Sequence, residues 1–457
     1  MNLHLSDLGH ISLIIAFIVA VYSVVAPLLG ARLRSLNLVT SARNGMFVIF
    51  ALHTLAMAII LYAFLSKDFS FRIVELHAST DLPPLYALCA LYADKTGSLF
   101  FWGWLISLFT AVMTLQKFNT YRQIMPYTIA ILAGIQAFFL SMVALRANIF
   151  MQNPFPPADG YGLNPLLQNF GMLIHPPLLY IGFAGFMVVF AFVMGALISR
   201  SPSSEWIRGI RRWTLFAWCT LGLGNLIGAW WAYEELGWGG YWAWDPVENA
   251  GLMPWLLGTA FLHTMAMLRK RDYLQTWSFA LIIFTFIFVL LSPFITHGGI
   301  ASELHGFQGS PFVPYIFAFI LLSLIASLAF LFIRRRELEA SEKPATLISR
   351  EGSFLLANII FVIIVGIVVS LTVFPKLYEL VSGGLIAIER SLFDWTGGIA
   401  LLILVFFMGI CPLLGWRRTS WSSIKRNFLY PFTIAFIIAI VILISGIGNW
   451  YAVAALV

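Results

Sequence analysis

Eight histidines and a cluster of tryptophans carry most of the chemistry this sequence offers. The histidines are His4, His10, His53, His77, His175, His263, His297 and His305. Imidazole can ligate a metal, pass a proton or act as a base. Five tryptophans, Trp230, Trp231, Trp238, Trp242 and Trp244, fall within fifteen residues, spaced by Gly and Tyr, and the run turns polar at Asp245. No Ser/His/Asp set and no paired catalytic carboxylates accompany them. Cys89, Cys219 and Cys411 are widely spaced with no CxxC pair, so neither a zinc site nor a disulfide framework is readable.

The elements that must hold these residues are membrane helices. With 60% hydrophobic residues, 10% charged residues and a mean hydropathy of +0.90, the chain could not cover a water-facing surface. Apolar runs of about 20 residues recur throughout, each long enough to span a bilayer. The fold class is an all-α polytopic membrane protein with about 12 transmembrane helices. The spans are 9–31, 44–65, 98–117, 124–146, 171–198, 214–232, 250–268, 276–294, 314–333, 352–374, 395–416 and 430–455. The N-terminal stretch lacks a basic region, so the first run reads as a retained span.

Of 27 Lys and Arg, 21 fall in or beside the loops after odd-numbered spans. The positive-inside rule therefore puts the N-terminus outside and those loops in the cytoplasm. The net charge of +7 is a topology signal, not a nucleic-acid surface. Residues 1–457 read as a single transmembrane domain, with the tryptophan segment 230–250 on the outer face between helices 6 and 7. Residues 334–351 form a solvated cytoplasmic linker.

This topology sorts the histidines. His175 opens span 5 at the outer surface, with Pro176 and Pro177 tolerated in a first helical turn. His297 and His305 lie in the outer loop between spans 8 and 9. His263 sits about 19 Å down span 7, and His53 near the middle of span 2. A deep histidine faces a bundle interior with a partner; bonding to a backbone carbonyl is the plain alternative, and for His53 the favoured one. Asp245-Pro246-Val247-Glu248 fits a helix start, with Asp as N-cap, Pro at N1 and Glu at the capping-box position. Capping is then the primary role of both carboxylates. Interfacial enrichment explains two or three of the tryptophans, but less well the run WGGYWAWD. Glycines between aromatics admit a flat ligand. Rings, outer histidines and a greasy bundle together suit haem, with histidines as axial ligands.

WGGYWAWDPVENAGLMPWL resembles the tryptophan-rich WWD motif of haem-handling proteins, in the variant of CcmF-type cytochrome c haem lyase subunits. The resemblance extends to DLPPLYALCALYADKTGSLFFW at 81–102, NPFPPADGYGLNPLLQNFGMLIHPPLLYIGF at 153–183, FLHT at 261–264 and ELHGF at 303–307. It implies that His175 and His305 are axial ligands of a substrate haem delivered by the haem chaperone CcmE. Trp231, Trp238, Trp242, Trp244 and Asp245 would form the haem platform. His263 would ligate a resident haem b that keeps the substrate iron reduced. The implied reaction joins the haem vinyl groups to the thiols of CxxCH in an apocytochrome c, alongside other maturation subunits of CcmH/CcmI type. The implied setting is a bacterial or archaeal cytoplasmic membrane, or an organellar inner membrane, with the active face outside.

Two features depart from the family pattern. No histidine follows His305, where the family has a second transmembrane ligand, and the chain ends soon after span 12 without the family's soluble outer domain. A companion subunit supplies the missing ligand, or His53 does, or no resident haem exists. In addition, ALYADKTGSL lacks a histidine–glutamate pair common in this loop. The alternative reading is a haem transporter or docking module of CcmC type without ligation activity. A solute transporter would place polar groups at the bilayer midplane, which here is nearly free of charge.

Overall fold

The computed structural model describes residues 4–201, 205–235, 240–268, 274–298, 300, 310–338, 349–415 and 419–444. Among these, fourteen α-helices follow in order: α1 (Leu5–Leu33), α2 (Leu36–Ser66), α3 (Arg72–His77), α4 (Pro84–Ala93), α5 (Lys95–Lys117), α6 (Met125–Leu140) and α7 (Phe170–Ile198). Then come α8 (Glu205–Glu235), α9 (Pro246–Leu268), α10 (Gln275–His297), α11 (Val313–Arg334), α12 (Arg350–Ser382), α13 (Arg390–Ile410) and α14 (Trp421–Ile444). With α6 continued by the π-helical turn Ser141–Arg146, all but α3 and α4 are long and apolar enough to cross a membrane, giving the twelve crossings read from the sequence.

Most helices overrun their apolar windows. The second span was read as 44–65, yet α2 begins at Leu36; the sixth was read as 214–232, yet α8 runs from Glu205 to Glu235. Hydropathy reports the bilayer thickness, whereas the helix continues through polar turns such as Asn37, Ser41, Arg43 and Asn44. The same effect carries α10 through to His297, read above as a loop residue.

Contacts divide the chain into two compact units. Unit 1 comprises residues 1–255 and 282–334. Within it α1 packs on α2 and α6, α5 joins α2, α6 and α7, and α7 pairs with α8. Every residue of α7 from Gly182 to Leu197 is buried, as expected of a helix that is apolar all round. The connections 66–97 and 147–170 pack on one another at one end of these helices. Asp159 accepts from the Thr80 amide and hydroxyl, and the Asn153 amide donates to Glu75. Unit 2 comprises residues 256–281 and 335–457, where α12 packs against α13.

Candidate haem site

The site begins with a seam of glycines between α7 and α8. Cβ atoms at Gly182 and Gly185 of α7 would lie 2.6 and 2.7 Å from Leu221 and Ala217 of α8, so the two backbones touch. Farther along, the small residue lies on α8. A Cβ at Gly228 would lie 2.3 Å from the His175 ring. That gap lets the imidazole lie flat on α8, with Nδ1 donating to the Gly224 carbonyl at 2.8 Å. A carbonyl only accepts, so the proton sits on Nδ1 and a neutral ring carries its lone pair on Nε2. The ring is thereby set as a ligand before anything binds.

His175 is not in a first turn. Asn169 caps α7, accepting from the Gly171 amide at 2.6 Å, and Pro176 and Pro177 lie inside the helix. The first turn is Phe170–Leu173, so His175 lies beyond the turn to which the sequence reading assigned it. An interior proline leaves the carbonyl four residues back without its helical donor. For Pro176 that carbonyl belongs to Met172, and the Tyr92 hydroxyl of α4 donates to it at 3.0 Å. Burial pushes the Tyr92 phenol well above its ordinary range, so it remains a donor.

Trp231 of α8 stands 6.0 Å from the His175 ring, seated where Gly171 has no side chain. Glu235, one turn on, accepts from the Asn169 amide at 2.6 Å and so joins the start of α7 to the end of α8. The start of α9 supplies the opposite wall. Asp245 accepts from the Val247 amide at 2.9 Å, while Glu248 accepts from the amides of Asp245 and Ala243 at 3.3 and 3.1 Å. This is the capping box read from the sequence, and its carboxylates are engaged in holding the chain. Trp244 adopts a left-handed backbone at φ 59°, costly for a bulky residue, and its carbonyl accepts from Asn249 at 3.0 Å. The kink turns Trp242 toward the cavity and sets it edge-on to Trp244, at 6.0 Å and 88°.

Between these parts lies a cavity of about 350 Å³, within the range of ligand sites. Its walls include His175, Trp231, Trp242, Tyr92, Tyr180 and His297, which come from α4, α7, α8, α10 and the segment before α9. Among the described residues the indole N–H groups of Trp231 and Trp242 have no hydrogen-bond partner. Trp244 is buried behind the wall, and Asp245 is not part of the lining. Trp238 and His305 lie outside the described residues. His297, ranked below His305 on sequence, ends α10 at the cavity with only 2% of its surface exposed and Nδ1 2.8 Å from Ser310 Oγ. Arg146 lies over the Tyr315 ring and Arg72 points at Met151 sulfur, so neither lines the cavity.

The deep histidines occupy different units. In unit 2, His263 lies beside Phe354 and Phe361 of α12, at 5.0 and 5.8 Å, and its Nδ1 has no partner among the described residues. In unit 1, His53 is fully buried, 4.8 Å from Phe100, with its Nδ1 accepting from the Gln136 amide at 3.3 Å. Among the described residues no three His, Cys, Asp or Glu side chains are grouped to hold a bare metal ion.

Residues 92–299 match the family model described as cytochrome C assembly protein, and these residues contain the whole tryptophan segment. The cytochrome c-type biogenesis protein CcmF of Haemophilus influenzae is 35% identical over 92% of this chain and 65% of its own length. That of Escherichia coli K12 is 32% identical over 95% of this chain and 68% of its own. A solved structure named cytochrome c heme lyase CcmF aligns with 100% of this chain and 69% of its own, at 29% identity and a TM-score of 0.80. The chain thus spans about two thirds of the length of these relatives. Helix order, overall fold and sequence agree that it belongs to the CcmF family of cytochrome c-type biogenesis proteins.

Proposed function

We propose that this chain works in cytochrome c maturation by holding a substrate haem in the His175 cavity while its vinyl groups react. The observation that carries the reading is His175, held through Nδ1 to the Gly224 carbonyl on the wall of a cavity that Trp231 and Trp242 also line. Haem iron takes imidazole nitrogen as an axial ligand, and indole faces suit the porphyrin plane. His305 is the proposed second ligand, with Trp238 completing the platform. Trp244 and Asp245 act one step back, by fixing the chain that presents Trp242.

In the reaction, each client thiol adds across a vinyl C=C. Sulfur bonds to the carbon next to the ring, hydrogen goes to the terminal carbon, and no electrons are gained or lost. The protein contributes proximity and orientation. A haem chaperone of CcmE type delivers the substrate, a CxxCH apocytochrome receives it, and CcmH/CcmI-type subunits present the client. The basic loops face the cytoplasm and the cavity faces the outer side of a bacterial-type membrane. His263, in its phenylalanine slot, is the proposed ligand of a resident haem b; its second ligand comes from a companion subunit.

The test is maturation of a reporter cytochrome c in cells whose only haem lyase contains this chain with its companion subunits. His175→Ala should insert normally and yield no covalent haem. Normal holocytochrome in that variant would overturn the reading. Haem bound without thioether formation by the unaltered assembly would favour the docking-module alternative.

A further inference from the structure

A second hollow, of about 190 Å³, lies within unit 1 among α6, α7, α10 and α11, and its walls are almost wholly apolar. Its floor is the pair Phe190 and Phe286, stacked at 3.8 Å and 8°. Small residues on facing walls make the gap. A Cβ at Gly134 of α6 would meet nothing nearer than Val24 at 3.9 Å, and Ala326 stands on the α11 side. The rim is open: Leu322 is 65% exposed and Phe330 36%.

The hollow lies toward the basic end of these helices. Phe138 of α6 stacks on Phe319 of α11 at 4.0 Å, and Arg146 beyond the end of α6 lies over Tyr315 near the start of α11, so the two helices run in opposite directions. From that contact, fourteen residues back along α6 and fifteen forward along α11 each cover about 20 Å. Ile124 and Arg334 therefore lie at one level. The end of α7 joins them there, because a Cβ at Gly195 would lie 3.1 Å from the Ile124 carbonyl. Arg122, Arg200 and Arg334 thus rim the same end, the first two exposed and the third half-buried.

We propose that this hollow is a binding site for an anionic phospholipid, with one acyl chain in the groove and the phosphate among Arg122, Arg200 and Arg334. The three cations single out an anionic headgroup over a zwitterionic one, because juxtamembrane arginines attract anionic lipid. A chain in the groove would brace α11 against α6 and α7. The site is separate from the His175 cavity, so it stands or falls independently of haem binding.

The experiment adds phosphatidylglycerol or phosphatidylcholine to the delipidated, detergent-purified full chain, and reads retained lipid by native mass spectrometry and the unfolding temperature by a thermal melt. Phosphatidylglycerol should be retained and raise the melt; phosphatidylcholine should do neither. Each of Arg122→Gln, Arg200→Gln and Arg334→Gln should weaken phosphatidylglycerol binding about fivefold. Gly134→Leu, which fills the groove, should abolish retention. If that variant melts well below the parent, Ala326→Leu fills the hollow from the other wall, and Arg122→Gln alters only an exposed side chain. Equal retention of both lipids would overturn the proposal. So would undiminished binding in both filled variants, or an isoprenoid quinone found in place of phospholipid.

Discussion

Replacing Gly228 by alanine tests the geometry of the His175 cavity without removing any functional group. The added Cβ would begin 2.3 Å from His175 Cε1 and 2.5 Å from Nδ1. Reaching the 3.4 Å of ordinary contact requires the ring to retreat by about 1 Å. It cannot do so and keep its 2.8 Å bond to the Gly224 carbonyl, since both contacts lie on the same face of α8. Losing that bond costs about 1–3 kcal/mol if the carbonyl stays buried. The effect on reaction should be larger, because a misplacement of about 1 Å at a reacting centre costs on the order of 100-fold. The assay is the yield of covalent haem in a reporter cytochrome c, normalised to the amount of this chain in the membrane. Gly366→Ala is the control, because a Cβ there meets nothing within 4 Å. It should mature cytochrome normally and gain up to about 1 kcal/mol of helix stability. Full maturation by Gly228→Ala would refute the view that the glycine seam sets His175.

Removing the Tyr92 hydroxyl in Tyr92→Phe should destabilise unit 1 by about 1 kcal/mol, seen as a lower melting temperature in detergent, because the Met172 carbonyl loses its donor. Asp245→Ala should cost about 1 kcal/mol and reduce haem attachment, whereas Asp245→Ser, which still caps, should retain most activity. Loss of activity equal to that of Asp245→Ala in the serine variant would instead assign the carboxylate to chemistry. The Asp159 carboxyl is held below its usual value of 3.8 by the amides of Thr80 and Gly160 and the Thr80 hydroxyl. A depressed acid stabilises above its unfolded value and loses that stabilisation as pH falls through the folded one. Protection of the Thr80 and Gly160 amides, taken relative to their intrinsic exchange rates at each pH, should therefore fall on acidification below about pH 4, and Asp159→Asn should reduce that pH dependence.

What could be read in advance was local or periodic. The twelve crossings follow from apolar runs longer than a bilayer, and the Asp245–Glu248 box follows from residue types at fixed offsets. His175 was legible as a candidate because it lies beside the proline pair, but its partner was not. Gly224 is 49 residues away, and its backbone carbonyl carries no sequence signature. Tyr92 is likewise invisible until α4 is known to lie beside the start of α7. His297 reads as a loop residue because hydropathy ends the eighth span at 294, while the helix continues to the cavity. Each miss is a contact between elements distant in sequence, where neighbourhood depends on packing and not on pattern.

The interior prolines of α7 have a mechanical consequence. Pro176 and Pro177 each lack an N–H, so two successive rungs of the helix are missing just beyond His175. A pull on the imidazole is thus poorly transmitted down the buried shaft from Gly182 to Leu197. One of the two released carbonyls is clasped by Tyr92, so the load passes sideways into α4 and the connection 66–97. The turn that carries His175 behaves as a compliant joint mounted on a rigid post, with its stiffness set by a tyrosine from a different segment.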